Sequence, residues 1–204
     1  QTGSVTEDAS TTTVSNTVQS SDPDTDDTLS YSMSNSGAGT YGTLTMSGAT
    51  WTYTLNNNDA DTTALDAGDA PTETFTITVT DDGTGTLSDT MTVTITVNGA
   101  NDAPSAGSDQ TASLTEDAST STASNTVGSS DADASASLTY TPSNSGSGTY
   151  GSIAFSGATW TYTLDNSDAD TTALDAGDAP TETFTITVSD GTASDTMTVT
   201  ITVT

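Results

Sequence analysis

The chain has 204 residues and 28 carboxylate side chains, but no lysine, arginine or histidine, so its formal net charge is −28. Folded proteins ordinarily offset carboxylates with their own cationic side chains, and uncompensated charge of this size opposes compactness through self-repulsion. The chain can therefore fold only where cations from solution screen or bind its carboxylates. High charge with only 30% hydrophobic residues is also typical of disordered chains. Whether this chain folds therefore has to be judged from the pattern of its apolar residues.

Apolar residues alternate with threonine in several segments, which predicts strands with one buried face. The clearest segments are 51–55, 74–80 and 91–97. Because successive side chains of a strand point to opposite faces, this pattern lines one core with few apolar residues. Threonine is β-branched and suits the solvated face. Glycine-containing turns separate the segments, and about seven short strands in each half predict a β-sandwich.

The same unit occurs twice in the chain. Residues 59–79 return almost unchanged at 168–188, an offset of 109, and the offset falls to 106 beyond a longer loop at 81–87. Such internal repetition indicates two domains of one fold, predicted as residues 1–103 and 104–204. The predicted fold class is all-β, with two tandem seven-stranded sandwiches joined end to end by a short acidic linker. One helical turn or two is expected within residues 58–65, and the aspartates at its start, repeated in the second unit, are expected to cap it: Asp59, Asp61, Asp168 and Asp170.

The missing residue types exclude several functions. Without cysteine or histidine the chain has no disulfide, no thiolate nucleophile and no zinc site of the usual kind. Without histidine, lysine or arginine it has no serine–histidine dyad and no cationic clamp for an oxyanion or phosphate. We therefore predict that it is not an enzyme. An acidic surface repels nucleic acid and anionic lipid, and no apolar run is long enough to span a membrane, so neither is expected as a partner.

Three features resemble the VCBS-type, cadherin-like repeats of giant bacterial surface adhesins. They are the opening Thr-Glu-Asp-Ala motif at 6–9, the aspartate-rich stretch 21–31, and the linker Asn-Gly-Ala-Asn-Asp-Ala-Pro at 98–104 after an alternating strand. The resemblance covers both units. It implies two cadherin-like sandwiches in an extracellular stalk, with structural calcium at the junction between successive domains.

The resemblance also implies which residues would bind calcium. At the junction these are Glu7, Asp66, Asn98, Asn101, Asp102, Asp131, Asp133 and Asp190. At the outer ends they are Asp22, Asp24 and Asp81, facing a preceding repeat, with Glu116 and Asp175 facing a following one. All offer the oxygen ligands that calcium prefers. Gly68 and Gly177 stand where cadherins have a glutamate, for which Asp69 or Glu73 is expected to compensate.

Other interpretations of the same residues stay open. Aspartates at strand ends also stabilise turns, with diffuse counter-ions neutralising them. Trp51 and Trp160 are candidates for stacking on sugars, but their inward phase favours a place in the core.

The leading functional prediction is a stalk segment of an extracellular repeat adhesin or surface fibre, exposed at the cell surface or secreted. Its partners would be neighbouring identical repeats or subunits, with extracellular polysaccharide as a further candidate. One alternative is the subunit of a head-to-tail filament that exchanges the strand around Val5 or the strand 197–203. A glycan-binding adhesin module is another.

Overall fold

Strands account for most of the ordered structure in both halves of the chain. The computed structural model describes residues 1–24 and 26–204. It divides into two units, Gln1–Asn101 and Asp102–Thr204. The prediction of an all-β fold with two tandem sandwich-like domains is confirmed, while the individual domain limits predicted from the repeat remain predictions.

The strands of the two units follow the same order, and in the part of the chain that the structure describes only the first unit has an α-helix. The first unit contains β1 (Thr2–Thr6), β2 (Thr13–Thr17), β3 (Ser30–Met33), β4 (Gly42–Ser47), β5 (Thr50–Leu55), α1 (Ala60–Thr63), β6 (Thr72–Thr80) and β7 (Ser88–Asn98). The second unit contains β8 (Gln110–Leu114), β9 (Thr122–Thr126), β10 (Thr139–Pro142), β11 (Gly151–Ser156), β12 (Thr159–Leu164), β13 (Thr181–Ser189) and β14 (Ser194–Val203). Within the described residues, no helix is both long and apolar enough to cross a bilayer.

Each unit stacks a four-stranded sheet on a three-stranded one. The first unit has the strand orders β1-β7-β6-β3 and β2-β5-β4, and the second has β10-β13-β14-β8 and β11-β12-β9. The pairs β1–β7 and β8–β14 are parallel and the others are antiparallel. Parallel pairing places the end of β1 beside the end of β7, with Thr6 opposite Asn98. The residues that follow both strands therefore meet at one end of the unit.

The core is built from the alternating positions that the sequence singles out. Phe75 and Ile77 of β6 pair in register with Val93 and Met91 of β7, and the first three of these side chains are at most 2% exposed. Threonines at the intervening positions face outward. Burying apolar area at about 25 cal/mol per Å² drives this packing, and the period of two in the sequence fixes which face is buried.

The short helix α1 ends at Thr63 and is capped as predicted. The side chain of Asp59 accepts a hydrogen bond from the N–H of Asp61 at 3.0 Å. In the second unit, Asp168 accepts from the N–H of Asp170 at 2.8 Å, although the segment there forms turns instead of a helix.

Both tryptophans belong to the core, as their phase predicted. Trp51 is fully buried, and its indole N–H donates to the side-chain oxygen of Gln1 at 2.6 Å. Gln1 in turn donates to the carbonyl of Thr17 at 2.9 Å. Gln110 holds Trp160 in the same way, also at 2.6 Å. A buried indole N–H needs such an acceptor, so these glutamines fix the orientation of the tryptophans.

A tyrosine–glutamate pair crosses the core of each unit. The hydroxyl of Tyr53, on β5, donates to Glu73, on β6 of the opposite sheet. The other oxygen of Glu73 accepts from the N–H of Thr40 at 2.7 Å, so the pair also fixes the loop before β4. Tyr162 and Glu182 repeat the arrangement. Burial, followed by the bond to the carboxylate and its negative charge, raises the pKa of each tyrosine well above the ordinary value.

These raised pKa values predict loss of stability in alkali. The unfolded chain releases its phenolic protons near pH ~10, whereas folded Tyr53 and Tyr162 keep theirs. The stability from the neutral phenols is therefore complete below about pH 10 and is lost as pH rises toward the folded-state pKa. We expect the free energy of unfolding to fall above that pH, and to fall less steeply in a Tyr53→Phe/Tyr162→Phe variant.

Urea unfolding between about pH 8 and about pH 11 measures both slopes. At neutral pH the double variant should itself be less stable by roughly 1–3 kcal/mol per site, because each glutamate loses a buried donor. Tyr31→Phe/Tyr140→Phe is the matched control, since these hydroxyls bond to serines, not carboxylates. Equal slopes in the wild type and the Tyr53/Tyr162 variant would contradict the prediction.

Candidate metal centres

Three carboxylates of the first unit converge where β3 begins and β6 ends. Ser30 of β3 pairs with Thr80 of β6, so the loops before and after these residues lie at the same end of the sheet. In these loops, Asp22, Asp27 and Asp81 each offer an oxygen within 4.8 Å of the other two. We call this group the aspartate triad.

The triad concentrates negative charge that the chain itself does not neutralise. Partial desolvation raises the pKa of Asp27, and the charges of Asp24, Asp22, Asp81 and Asp82 raise it further. The sequence contains no cationic side chain that could relieve this repulsion. Three hard oxygen donors in one place suit a calcium ion better than any transition metal that prefers nitrogen or sulfur.

The triad differs from the predicted set at one position. Asp22 and Asp81 are brought together as expected, but Asp24 is exposed and lies outside the triad. Its N–H donates to Asp22 Oδ1 at 2.9 Å, so it shapes the loop. Asp27 lies outside the Asp-x-Asp pair and the strand-end aspartate that the resemblance implied, and the equivalent residue of the second unit is Ala136. The run of aspartates just before a strand was the available signal.

The corresponding end of the second unit gathers three predicted ligands. Asp133 is 8% exposed, and its Oδ2 accepts from the N–H of Asp102 at 3.0 Å. The N–H of Asp133 donates to Asp131 Oδ1 at 3.1 Å. The second oxygen of Asp131 is buried, and no donor in the described part of the chain reaches it. An unsatisfied buried carboxylate oxygen is unfavourable, and a bound cation would satisfy it.

The predicted aspartates after β6 and β13 also stabilise turns. Asp190 Oδ1 accepts from the N–H groups of Thr192 and Ala193 at 2.6 and 2.7 Å. Asp81 Oδ1 accepts from Gly83 and Leu87 at 3.2 and 3.0 Å. One oxygen of each aspartate is thus used by its turn. The turn interpretation and the metal interpretation therefore apply to the same side chains.

Glu7 and Asn98 lie at the other end of the first unit, where the parallel strands finish. Glu7 is 4% exposed and accepts from the N–H of Ala100 at 2.6 Å, while its own N–H donates to the carbonyl of Asn98 at 3.0 Å. The side-chain amide of Asn98 donates to the carbonyl of Val5 at 3.0 Å. The carboxylate of Glu7 therefore holds the start of the linker. Asn101 ends the unit and is half-buried.

Asp66 reaches the same end through the loop after α1. Its N–H donates to Asp69 Oδ2 at 3.3 Å, and the carbonyl of Asp69 accepts from the N–H of Gly99 at 2.9 Å. A Cβ on Gly99 would overlap the carbonyl oxygen of Asp66, so only glycine allows this approach. Glu73 is held instead by Tyr53 and Thr40. Glu73 is therefore engaged inside its own unit, and the expectation that Asp69 or Glu73 compensates for the missing cadherin glutamate stays a prediction.

The last two predicted ligands lie at the equivalent end of the second unit. The N–H of Glu116 donates to the carbonyl of Thr204 at 2.9 Å. The N–H of Asp175 donates to Asp178 Oδ2 at 3.0 Å, which repeats the Asp66 loop. Their role as ligands toward a following repeat stays a prediction.

Comparison with known families supports the resemblance. A family model described as a bacterial cadherin-like domain matches residues 1–99 and, a second time, residues 101–204. No curated protein matches the chain.

Solved structures show the same fold at low identity. Mouse cadherin-23 EC22-24 aligns with 100% of this chain at 19% identity and a TM-score of 0.60, and 63% of its own length is covered. Protocadherin gamma C5 EC1-3 aligns with 100% of the chain at 16% identity and a TM-score of 0.53, with 65% of its length covered. The chain thus spans less than two thirds of each structure. The predicted cadherin-like fold is confirmed.

Neutralising one member of the triad tests whether repulsion there opposes folding. We expect Asp27→Asn to raise the melting temperature in chelator by a few degrees, because it removes one of three converging charges. In millimolar calcium the same variant should gain less stability than the wild type. Differential scanning calorimetry measures both. Asp26→Asn changes the net charge equally at an exposed neighbour outside the triad, so an equal effect from Asp26→Asn would argue for net charge alone.

Proposed function

The chain belongs to the bacterial cadherin-like domain family, of which it contains two consecutive copies, and we propose that it is a stalk segment of an extracellular repeat protein, stiffened by calcium where one domain continues into the next. Cadherin-like domains are extracellular modules of adhesion and structure. A role in reach and stiffness needs no reactive group, and the composition of the chain offers none of the common catalytic combinations.

The observation that carries this proposal is the way carboxylates hold the linker. In the first unit, Glu7 accepts from the N–H of Ala100. In the second unit, Asp133 accepts from the N–H of Asp102. Two linker amides, one in each unit, are therefore bonded to buried acidic side chains. A segment whose amides are bonded to the domains in this way is less free than a flexible tether.

The residues at the domain ends suit calcium as the ion that stiffens them. Calcium takes six to eight oxygen ligands, and the ends offer carboxylates, two asparagines and backbone carbonyls. In our proposal calcium is bound by the predicted junction residues: Asp102, Asp131, Asp133 and Asp190 of the second unit, with Glu7, Asp66, Asn98 and Asn101 of the first. The buried, unsatisfied Oδ2 of Asp131 supports this choice. Bound calcium would supply the positive charge that no side chain provides.

Calcium removal tests the metal part of the proposal. A ligand that binds only the folded state stabilises it by RT ln(1 + [L]/Kd). With a dissociation constant of about 10⁻⁴ to 10⁻³ M, typical of extracellular modules, calcium at about 10 mM should add roughly 1.4 to 2.7 kcal/mol per site. We expect thermal unfolding in calcium and in chelator to differ accordingly, and Asp131→Asn to reduce the difference.

Asp170→Asn serves as the control, because it removes one charge from an exposed position in the same unit. If calcium left the melting temperature of the wild type unchanged, the metal part of the proposal would be lost. Electron microscopy tests the stalk part. Discrete rods of one length would support the extender, whereas uniform long fibres assembled from this chain alone would favour the filament subunit.

A further inference from the structure

The first unit carries a groove of about 530 Å³ beside the aspartate triad. Apolar and polar groups share its lining, including Val18, Ser21, Leu29, Val79, Asp89 and Met91. Leu87 lies on the lining too and is 73% exposed. A leucine this exposed next to half-buried Val79 and Met91 marks an apolar surface without a cover.

The same place in the second unit is filled by the chain itself. Residues 104–109, Pro-Ser-Ala-Gly-Ser-Asp, form what we call the plug segment. Ala106 is fully buried and belongs to the same core cluster as Val188 and Met197. Ser105 exchanges two backbone hydrogen bonds with Ser130, at 2.8 and 3.0 Å. The N–H of Ala106 donates to Asp195 Oδ2 at 2.9 Å.

The repeat alignment shows what the plug segment changes. Gln1 aligns with Gln110, so the positions equivalent to 104–109 lie ahead of Gln1. Val188 and Met197 are 0% and 2% exposed, whereas their equivalents Val79 and Met91 are only half-buried. The first-unit groove therefore exposes the same side chains that the plug segment covers in the second unit.

The groove offers the hydrogen-bonding groups that hold the plug in the second unit. Ser21 is the equivalent of Ser130, and none of the described residues pairs with its backbone. Asp89 is the equivalent of Asp195. The Oδ1 of each aspartate accepts a hydrogen bond from the N–H of the next residue at 2.8 Å. The Oδ2 of Asp195 accepts from the N–H of Ala106 in the plug segment. Hydrogen bonds from the N–H groups of Ala106 and Thr196 lower the pKa of Asp195.

Gln19 is one of the residues of the groove lining that are bulkier than their equivalents in the second unit. Gly107 has φ +78° and packs against the backbone of Gly128. Gln19 replaces Gly128 in the first unit. A Cβ at Gly128 would meet nothing within 4 Å, so a side chain at this position starts in open space.

We propose that the first-unit groove is the docking site of an extended segment with the Pro-Ser-Ala pattern of the plug, supplied by the linker of a preceding repeat and joined to Gln1. This rests on the proposed function, since it places the unit in a tandem array. The amino group of Gln1 lies 2.7 Å from the carbonyl of Thr92. In the second unit, Asp109 bonds to the N–H of Thr198, the equivalent of Thr92, at 2.7 Å. A segment attached at Gln1 therefore starts beside Thr92, the residue that follows Met91 of the groove lining.

Docking of this kind makes the linker part of the core of the domain that follows it. The alanine of the docked segment would cover Val79 and Met91, and its N–H would donate to Asp89. The serine of the segment would pair with the backbone of Ser21. Each repeat would then be complete only when a linker precedes it, which couples the stability of neighbouring repeats.

The test is a full-length chain extended by Ala-Pro-Ser-Ala-Gly-Ser-Asp ahead of Gln1, studied in chelator. Oxidation by peroxide, followed by mass spectrometry, reports the exposure of each methionine. In the unextended chain we expect Met91 to react about tenfold faster than Met197. The extension should slow Met91 by about tenfold, leave Met197 unchanged, and slow hydrogen exchange at the Ser21 amide toward that of Ser130.

Two controls make the result specific. An extension with aspartate in place of the buried alanine should not protect Met91, because it would bury a charge; equal protection would overturn the proposal. The same heptapeptide added as a separate molecule should protect Met91 only near millimolar concentration, the effective concentration that attachment supplies. Protection by micromolar free peptide would show that a separate chain is the natural source, and no protection by the extension would show that the groove does not dock this segment.

These outcomes are independent of the calcium test. Protection in chelator without any calcium effect on stability would retain the docking site and reject the metal part of the proposed function. A clear effect of calcium on stability without protection of Met91 would retain the metal part and reject the docking site.

Discussion

Every carboxylate in this protein has to be accommodated without a cationic side chain, and the backbone takes over that task. Glu7, Glu73, Asp133 and Asp195 each accept hydrogen bonds from main-chain N–H groups of a distant loop or linker. Bonds from backbone N–H groups to ionised carboxylates are stronger than neutral ones. Acidic side chains therefore fix the loops and the connecting segment, and the charge that opposes folding also determines how the ends of each unit are built.

Local periodicity made the strands and the core predictable. Alternation with period two marks the buried face whatever the partner strand is, so Phe75, Ile77 and Trp51 could be placed in the core from the sequence. Partners far apart in the chain could not be found in this way. Tyr53 and Glu73 meet across two sheets, and Ala106 fills a core formed by strands that start many residues later.

The candidate metal sites were predictable only in part, for a similar reason. The resemblance implied which strand ends carry candidate ligands, and the structure brings Asp22 together with Asp81. It gave no basis for choosing Asp27, which lies outside the Asp-x-Asp pair and the strand-end aspartate that it implied; the second repeat has alanine there. The two repeats are nearly identical in sequence, so small differences between them are easily overlooked. In the structure these differences can be compared directly: the groove of the first unit is open, and the same place in the second unit is filled by the plug segment.

The parallel pairing of the first and last strands has a mechanical consequence. Thr2 to Thr6 run beside Thr94 to Asn98 in the same direction, so the chain enters a unit at one end of this pair and leaves at the other. Tension along the chain then slides one strand along its neighbour, and the hydrogen bonds between them, which cross the direction of pull, are strained together. A hairpin pulled from its open end would lose them one after another. The topology thus gives each unit a shear clamp that opposes extension by force.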